Sequence, residues 1–198
     1  MRAAKVRYRS AVIVIPLQNT RERYGSVAQA FHWIIVLLVL AQFVIGVDAH
    51  GMPVSLLRLK LLTLHKSIGV TVFALVVLRL AWRMYSPAPP LPANMSAWQR
   101  LVAHLSHGLL YGLLLVLPLI GWIASSASNL TVRWFFLFNL PNPVNPDPAL
   151  ASFAKGLHMT LAWLLLALVC LHVAAAFWHE FKLKDGVLRR MLPFVGEE

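Results

Sequence analysis

Four stretches of this chain are apolar over the length a helix needs to cross a bilayer, and the polar residue that most often interrupts them is histidine. About 20 residues at 1.5 Å each span the ~30 Å of hydrocarbon. The runs cover roughly 27–47, 61–82, 101–124 and 157–178. Between the second and third lies SPAPPLPANM, a proline-rich connector that cannot continue a helix. Between the third and fourth, residues 125–155 carry the aromatic patch RWFFLF and then NLPNPVNPDP. The patch reads as a short re-entrant or interfacial helix that caps one face. AVIVIPL near the N-terminus is short, contains Pro16 and runs into TRERYG rather than a small-residue cleavage site, so it reads as an arm, not a secretory signal. The pattern predicts an all-α integral membrane protein: a basic arm at 1–25, a four-transmembrane-helix bundle at 26–180, and a tail at 181–198.

Composition narrows the class. Of 198 residues, 59% are hydrophobic and only 13% charged, where soluble domains average about 25% charged. With a mean hydropathy of +0.70, a water-soluble enzyme, a disordered chain and a disulfide scaffold are excluded. The net charge of +11 does not indicate nucleic acid, because such proteins carry their basic residues on a polar, soluble surface. The basic residues instead sort by side. Thirteen lie before the first helix, around the second connection and after the fourth helix. Five lie on the opposite side: Arg58, Lys60, Lys66, Arg133 and Lys155. Cytoplasmic flanks are the basic ones, so both termini are expected in the cytoplasm.

A polar ring inside a bilayer needs a partner, which makes intramembrane histidines functional candidates. His32 lies near the inner end of the first helix and His65 near the outer end of the second. His158 opens the fourth helix on the outer side and His172 lies near its inner end. These two are fourteen residues apart, which places them within about 40° of one face and ~21 Å apart in depth. Depth therefore pairs His65 with His158 and His32 with His172. Two imidazoles from opposite helices, with no cysteine or carboxylate nearby, suit haem iron better than zinc, which takes three or four protein ligands. Two axial histidines leave no open position, so electron transfer is the expected role. No C-x-x-C-H is present, which excludes covalent c-type haem, and Cys170 lies alone in an apolar run. Gly69 offers a place for a macrocycle to approach the second helix, and Arg79, Arg83 and Lys66 are candidate partners for haem propionates. His104 and His107 could replace a ligand, bind a propionate, relay protons, or form a polar turn at the interface. His50 and His179 read as solvated.

The motifs FHW, LHKSIG, H-x-x-H-x-x-x-Y (His104, His107, Tyr111), PLIGW, GLHMTLAW, LHVAAAFWHEF and DGVLRRMLP occur in order along the four helices and the tail. Together they resemble the prokaryotic cytochrome b561 family over about residues 24–193. The resemblance implies a bacterial inner-membrane protein with two b-type haems on His32, His65, His158 and His172, and ubiquinone as electron acceptor. It also implies, for some members, oxidation of superoxide at the periplasmic face. The five outer basic residues against Asp48 and Asp147 would attract such an anion, with Lys66, Arg133 and Lys155 the candidates for steering it. A second reading is a cytochrome b anchor subunit that links a periplasmic dehydrogenase or hydrogenase to the quinone pool, docked through the aromatic outer loop. A histidine-lined transporter expects acidic residues within the spans, and the spans contain none.

Overall fold

The computed structural model describes residues 16–193 and contains four long helices: α1 (Ser26–Gly51), α2 (Leu56–Tyr85), α3 (Ala97–Ala127) and α4 (Pro148–Trp178). All four are long and apolar enough to cross a membrane. Consecutive helices pack against each other, α1 on α2, α2 on α3 and α3 on α4. The up-and-down order brings both described chain ends to one end of the bundle, the terminal end, and leaves the other end to the α1–α2 turn and the α3–α4 loop.

The helix starts are written locally. Ser55 Oγ accepts from Arg58 N at 3.2 Å. Ser96 and Gln99 form a reciprocal capping box at the head of α3. Asp147 Oδ1 accepts from Ala149 N and Leu150 N at 2.9 and 3.0 Å, with Pro148 in the first turn, where its missing N–H costs nothing. That cap starts α4 nine residues before the apolar run, so the expected loop 125–155 is shortened to the stretch between Ala127 and Pro148.

The aromatic patch is not a helix. Arg133–Trp134 and Phe138–Asn139 pair as a two-stranded antiparallel hairpin, β1 and β2. Its turn holds Phe135 and Phe136 at φ 41° and 63°, a left-handed conformation unfavourable for side chains of this size. The fully buried Ser67 on α2 offsets that cost. Its Oγ accepts from Phe135 N at 2.8 Å and faces the carbonyls of Thr63 and Arg133 at 2.8 and 3.0 Å. Trp134 Nε1 donates to Thr71 Oγ1 at 3.2 Å. Ser67→Ala would orphan the Phe135 N–H and release the hairpin. It should lower stability by about 1–3 kcal/mol, read as a reduced melting temperature of the detergent-solubilised protein.

At the terminal end, three segments interlock. Asn19 bonds Ser86 through its backbone N (2.9 Å to Oγ) and its side chain (2.7 Å to O), and its Oδ1 accepts from Gly25 N at 2.9 Å. Tyr24 N donates to Arg190 O at 3.2 Å, and Trp33 Nε1 donates to Met191 O at 2.9 Å. The described part of the basic arm thus lies against the α2–α3 connector and the tail. The remainder of the arm, residues 1–15, and the tail beyond 193 lie outside the described residues.

Midway along the bundle, Ile35, Val39, Ile68, Val72, Val76, Leu113, Leu117 and Leu165 form one apolar core to which every helix contributes. Helical spacing of three and four residues ties this core to both ends. On α2 one stripe reads His65, Ile68, Val72, Val76, Arg79; on α4 it reads His158, Leu161, Leu165, Leu168, His172. Each stripe is polar at its ends and aliphatic between them.

Candidate functional site: two imidazole pairs at two depths

The helices bring together the four histidines the sequence singles out, in the expected pairs. His65 of α2 and His158 of α4 meet near the hairpin end with ring centres 6.1 Å apart and planes at 75°. His32 of α1 and His172 of α4 meet near the terminal end at 6.4 Å and 69°. A metal lies about 2 Å from an imidazole nitrogen and the ring centre about 1.1 Å beyond, so two rings on opposite sides of one metal have centres about 6.3 Å apart. Both pairs match that spacing. Among the described residues no group of three or more His, Cys, Asp or Glu converges as a metal site, so the donor set is two imidazoles, which suits a macrocycle that supplies the other four ligands. His158 Nδ1 donates to Leu117 O at 3.1 Å, which places its proton on Nδ1 and leaves Nε2 free as a ligand.

His107 on α3 lies 5.4 Å from His172, edge to face. That is shorter than the spacing of two rings across one metal, and it places His107 beside the His32–His172 pair. His104 is exposed. Arg79 Nε donates to Tyr111 OH at 3.0 Å, and the guanidinium also lies over the Tyr111 ring. Tyr24, below the first turn of α1, faces Arg83, Arg79, Arg190 and Tyr111, and burial pushes its phenol pKa upward. The terminal-end pair is therefore flanked by His107 and Arg79, with Arg83, Tyr111 and Tyr24 next to them, a polar cluster that the sequence indicated only through isolated residues.

At the hairpin end, Lys66 follows His65 directly, and Lys155 is the charge that bears on it. Arg133 begins the hairpin fastened to Ser67. The three basic residues chosen from the sequence thus lie at the end of the bundle that holds this imidazole pair, with Lys66 the one whose charge bears on His65. Of the two acids at this end, Asp147 is engaged in capping α4, and among the described residues no ion pair neutralises these cations.

Three expectations change. Gly69 does not clear space for a macrocycle: a β-carbon there would lie 3.0 Å from Gln42 Nε2, so its lack of a side chain serves α1–α2 packing. His179 is not solvated, because its Nδ1 pairs with Asp185 Oδ2 at 2.5 Å. Arg79 is committed in part to Tyr111. His50 is exposed, as expected, and so is Cys170.

A bundle of membrane-spanning helices with half-buried imidazoles paired at two levels defines a membrane electron-transfer cytochrome. The chain belongs to the prokaryotic cytochrome b561 family, which it matches across residues 23–194. Family and fold together make it a multi-pass protein of the bacterial inner membrane and imply that it binds haem b. It is 37% identical over 185 residues to "Cytochrome b561 homolog 2" of Escherichia coli (strain K12), covering 88% of this chain and 93% of that one. It is 30% identical over 174 residues to "Cytochrome b561 homolog 1" of the same organism, covering 86% and 97%. It is 27% identical over 172 residues to "Probable superoxide oxidase CybB" of Yersinia pestis, covering 87% and 97%.

Proposed function

We propose that this cytochrome carries two b haems, oxidises superoxide at the hairpin end, in the periplasm, and reduces ubiquinone, with both chain termini in the cytoplasm. The observation that carries the reading is the pairing itself: two imidazole pairs toward the two ends of a bundle, with an aliphatic core between them. His65 and His158 would hold one haem, His32 and His172 the other. Haem iron supplies one-electron storage, which two sites in series need in order to join a one-electron donor to a two-electron acceptor. Lys66, Lys155 and Arg133 draw an anion to the hairpin end. The layer of Ile35, Val39, Val72, Val76, Leu117 and Leu165 excludes water and protons from the middle of the bundle. His107, Tyr111 and Tyr24 place exchangeable protons beside the terminal-end pair, where reduction of a quinone to a quinol would consume two.

The balance is two superoxide anions oxidised to dioxygen for each ubiquinone that takes up two electrons and two protons. Mixing superoxide with the haem-loaded protein and ubiquinone in a stopped-flow instrument should reduce haem at once and yield ubiquinol in that ratio. Haem that stays oxidised would reject the activity. The exposed Phe136, Leu137 and Phe138 of the hairpin favour one alternative, an anchor subunit for a periplasmic dehydrogenase or hydrogenase. Co-purification with such a partner, together with inert behaviour toward superoxide, would establish it.

A further inference from the structure

Two glycines stand where a side chain would strike the hairpin-end imidazoles. A β-carbon on Gly46 would lie 3.1 Å from Cε1 and 3.4 Å from Nδ1 of His65. One on Gly121 would lie 3.1 Å from Cε1 and 3.2 Å from Nδ1 of His158. Each glycine comes four residues after a residue whose carbonyl faces the same imidazole. Leu117, four before Gly121, accepts from His158 Nδ1 at 3.1 Å. Gln42, four before Gly46, turns its carbonyl toward His65, although His65 Nδ1 forms no hydrogen bond within 3.5 Å. A close approach of glycine to imidazole thus occurs on α1 and on α3, one facing each histidine of the pair, with the carbonyl hydrogen bond formed at His158. Spacing explains it. In a helix the carbonyl of residue i lies under residue i+4, and its second lone pair can be reached from outside only where the side chain at i+4 does not cover it. Other glycines do not share this role: Gly108, Gly112 and Gly156 have nothing within 4 Å of a built β-carbon.

We infer that Gly46 and Gly121 are positioning residues: each lets an imidazole seat against a helix backbone, fixing the rotation of His65 and His158, and at His158 the Leu117 carbonyl also fixes the protonated nitrogen. The inference rests on the reading that these two histidines hold haem iron. A seated imidazole directs its Nδ1 proton at the carbonyl and its Nε2 lone pair at the metal, and the hydrogen bond raises its strength as a donor. Among the described residues, the terminal-end pair has no such glycine beside it.

The test uses the full-length, haem-loaded protein and compares Gly46→Ala and Gly121→Ala with Gly112→Ala, which adds the same methyl group into open space. Three readouts bear on the seat: haem-to-protein ratio, the low-spin ferric EPR signal, and the midpoint potential of each haem. Gly121→Ala should displace His158 from Leu117. The hairpin-end haem should then be lost, or be retained with a changed EPR signal and a raised potential, because a weaker donor favours ferric iron less. The other haem should be unaffected. Gly46→Ala should act in the same direction on the same haem, and Gly112→Ala should change nothing. If Gly121→Ala does not accumulate, Gly46→Ala carries the test, because its nearest nitrogen contact is looser. Unchanged signals and potentials in the variants would overturn the inference, as would equal disturbance of both haems. The ligand reading fails separately, if His158→Ala still holds two haems.

Discussion

Alanine at His158 should give a membrane-inserted protein with one haem in place of two, and alanine at His65 should give the same product. Each change removes half of a two-ligand site, and among the described residues no other His, Cys, Asp or Glu completes a metal group there. The remaining imidazole then offers one bond where two are needed. Alanine at His32 or His172 should remove the other haem instead, leaving a different absorption maximum in the reduced spectrum. The pairing is the sharp part of the prediction. Within a pair the two variants should look alike, and between pairs they should differ. His107→Ala should retain both haems, because its 5.4 Å separation from His172 is too short for a ligand across one metal. Loss of a haem in His107→Ala, with His32→Ala silent, would reassign the terminal-end site.

The four spans and the depth of each histidine were legible because both follow from one-dimensional quantities, apolar run length and rise per residue. Helix packing added the separations, which bring His65 to His158 and His32 to His172 at the spacing one metal requires. What escaped the sequence depends on contacts between distant segments. Nothing in RWFFLF announces a hairpin, since its turn is made by two phenylalanines at positive φ rather than by glycine or asparagine, and it is held by a serine 68 residues away. The early start of α4 was signalled by Asp-Pro at 147–148, a capping pair, but Ser152, Lys155 and Gly156 separate its first turns from the long apolar run. Gly46 and Gly121 resemble any other helix glycine until an imidazole is seen beside each. Gly69, in the sequence the better candidate, meets a glutamine instead.

The two ends of the bundle differ in the groups that surround the imidazole pairs. At the hairpin end the histidines face backbone carbonyls and glycines, and the nearby charges are lysine and arginine at the rim. At the terminal end they face His107, and beyond it Tyr111, Arg79 and Tyr24, beneath a cover formed by the arm, the connector and the tail. Backbone carbonyls cannot take up protons, whereas imidazoles and phenols can. That asymmetry fits a donor that gives up electrons alone at one end and an acceptor that needs protons with them at the other.

Neutralising Lys66, Arg133 and Lys155 together, as K66Q, R133Q and K155Q, should slow superoxide-driven haem reduction about tenfold at low salt, within the range that electrostatic steering adds to association rates. These cations lie at the hairpin end with the His65–His158 pair, and among the described residues none has an ion-pair partner, so they leave that end net positive against Asp48 and Asp147. The substitutions remove charge without touching a ligand, and Arg133 keeps the backbone carbonyl that faces Ser67, so the reduced haem spectrum should match the unmodified protein. Salt provides the internal control. Screening shortens the reach of the field to about 10 Å at 0.1 M and about 3 Å at 1 M. The unmodified protein should therefore slow as salt rises, while the triple variant stays nearly flat, and the two rates should converge. A rate that is fast in both proteins and insensitive to salt would show that superoxide finds the haem without these three residues. A slow rate accompanied by an altered spectrum would mean that the substitutions disturbed the site itself.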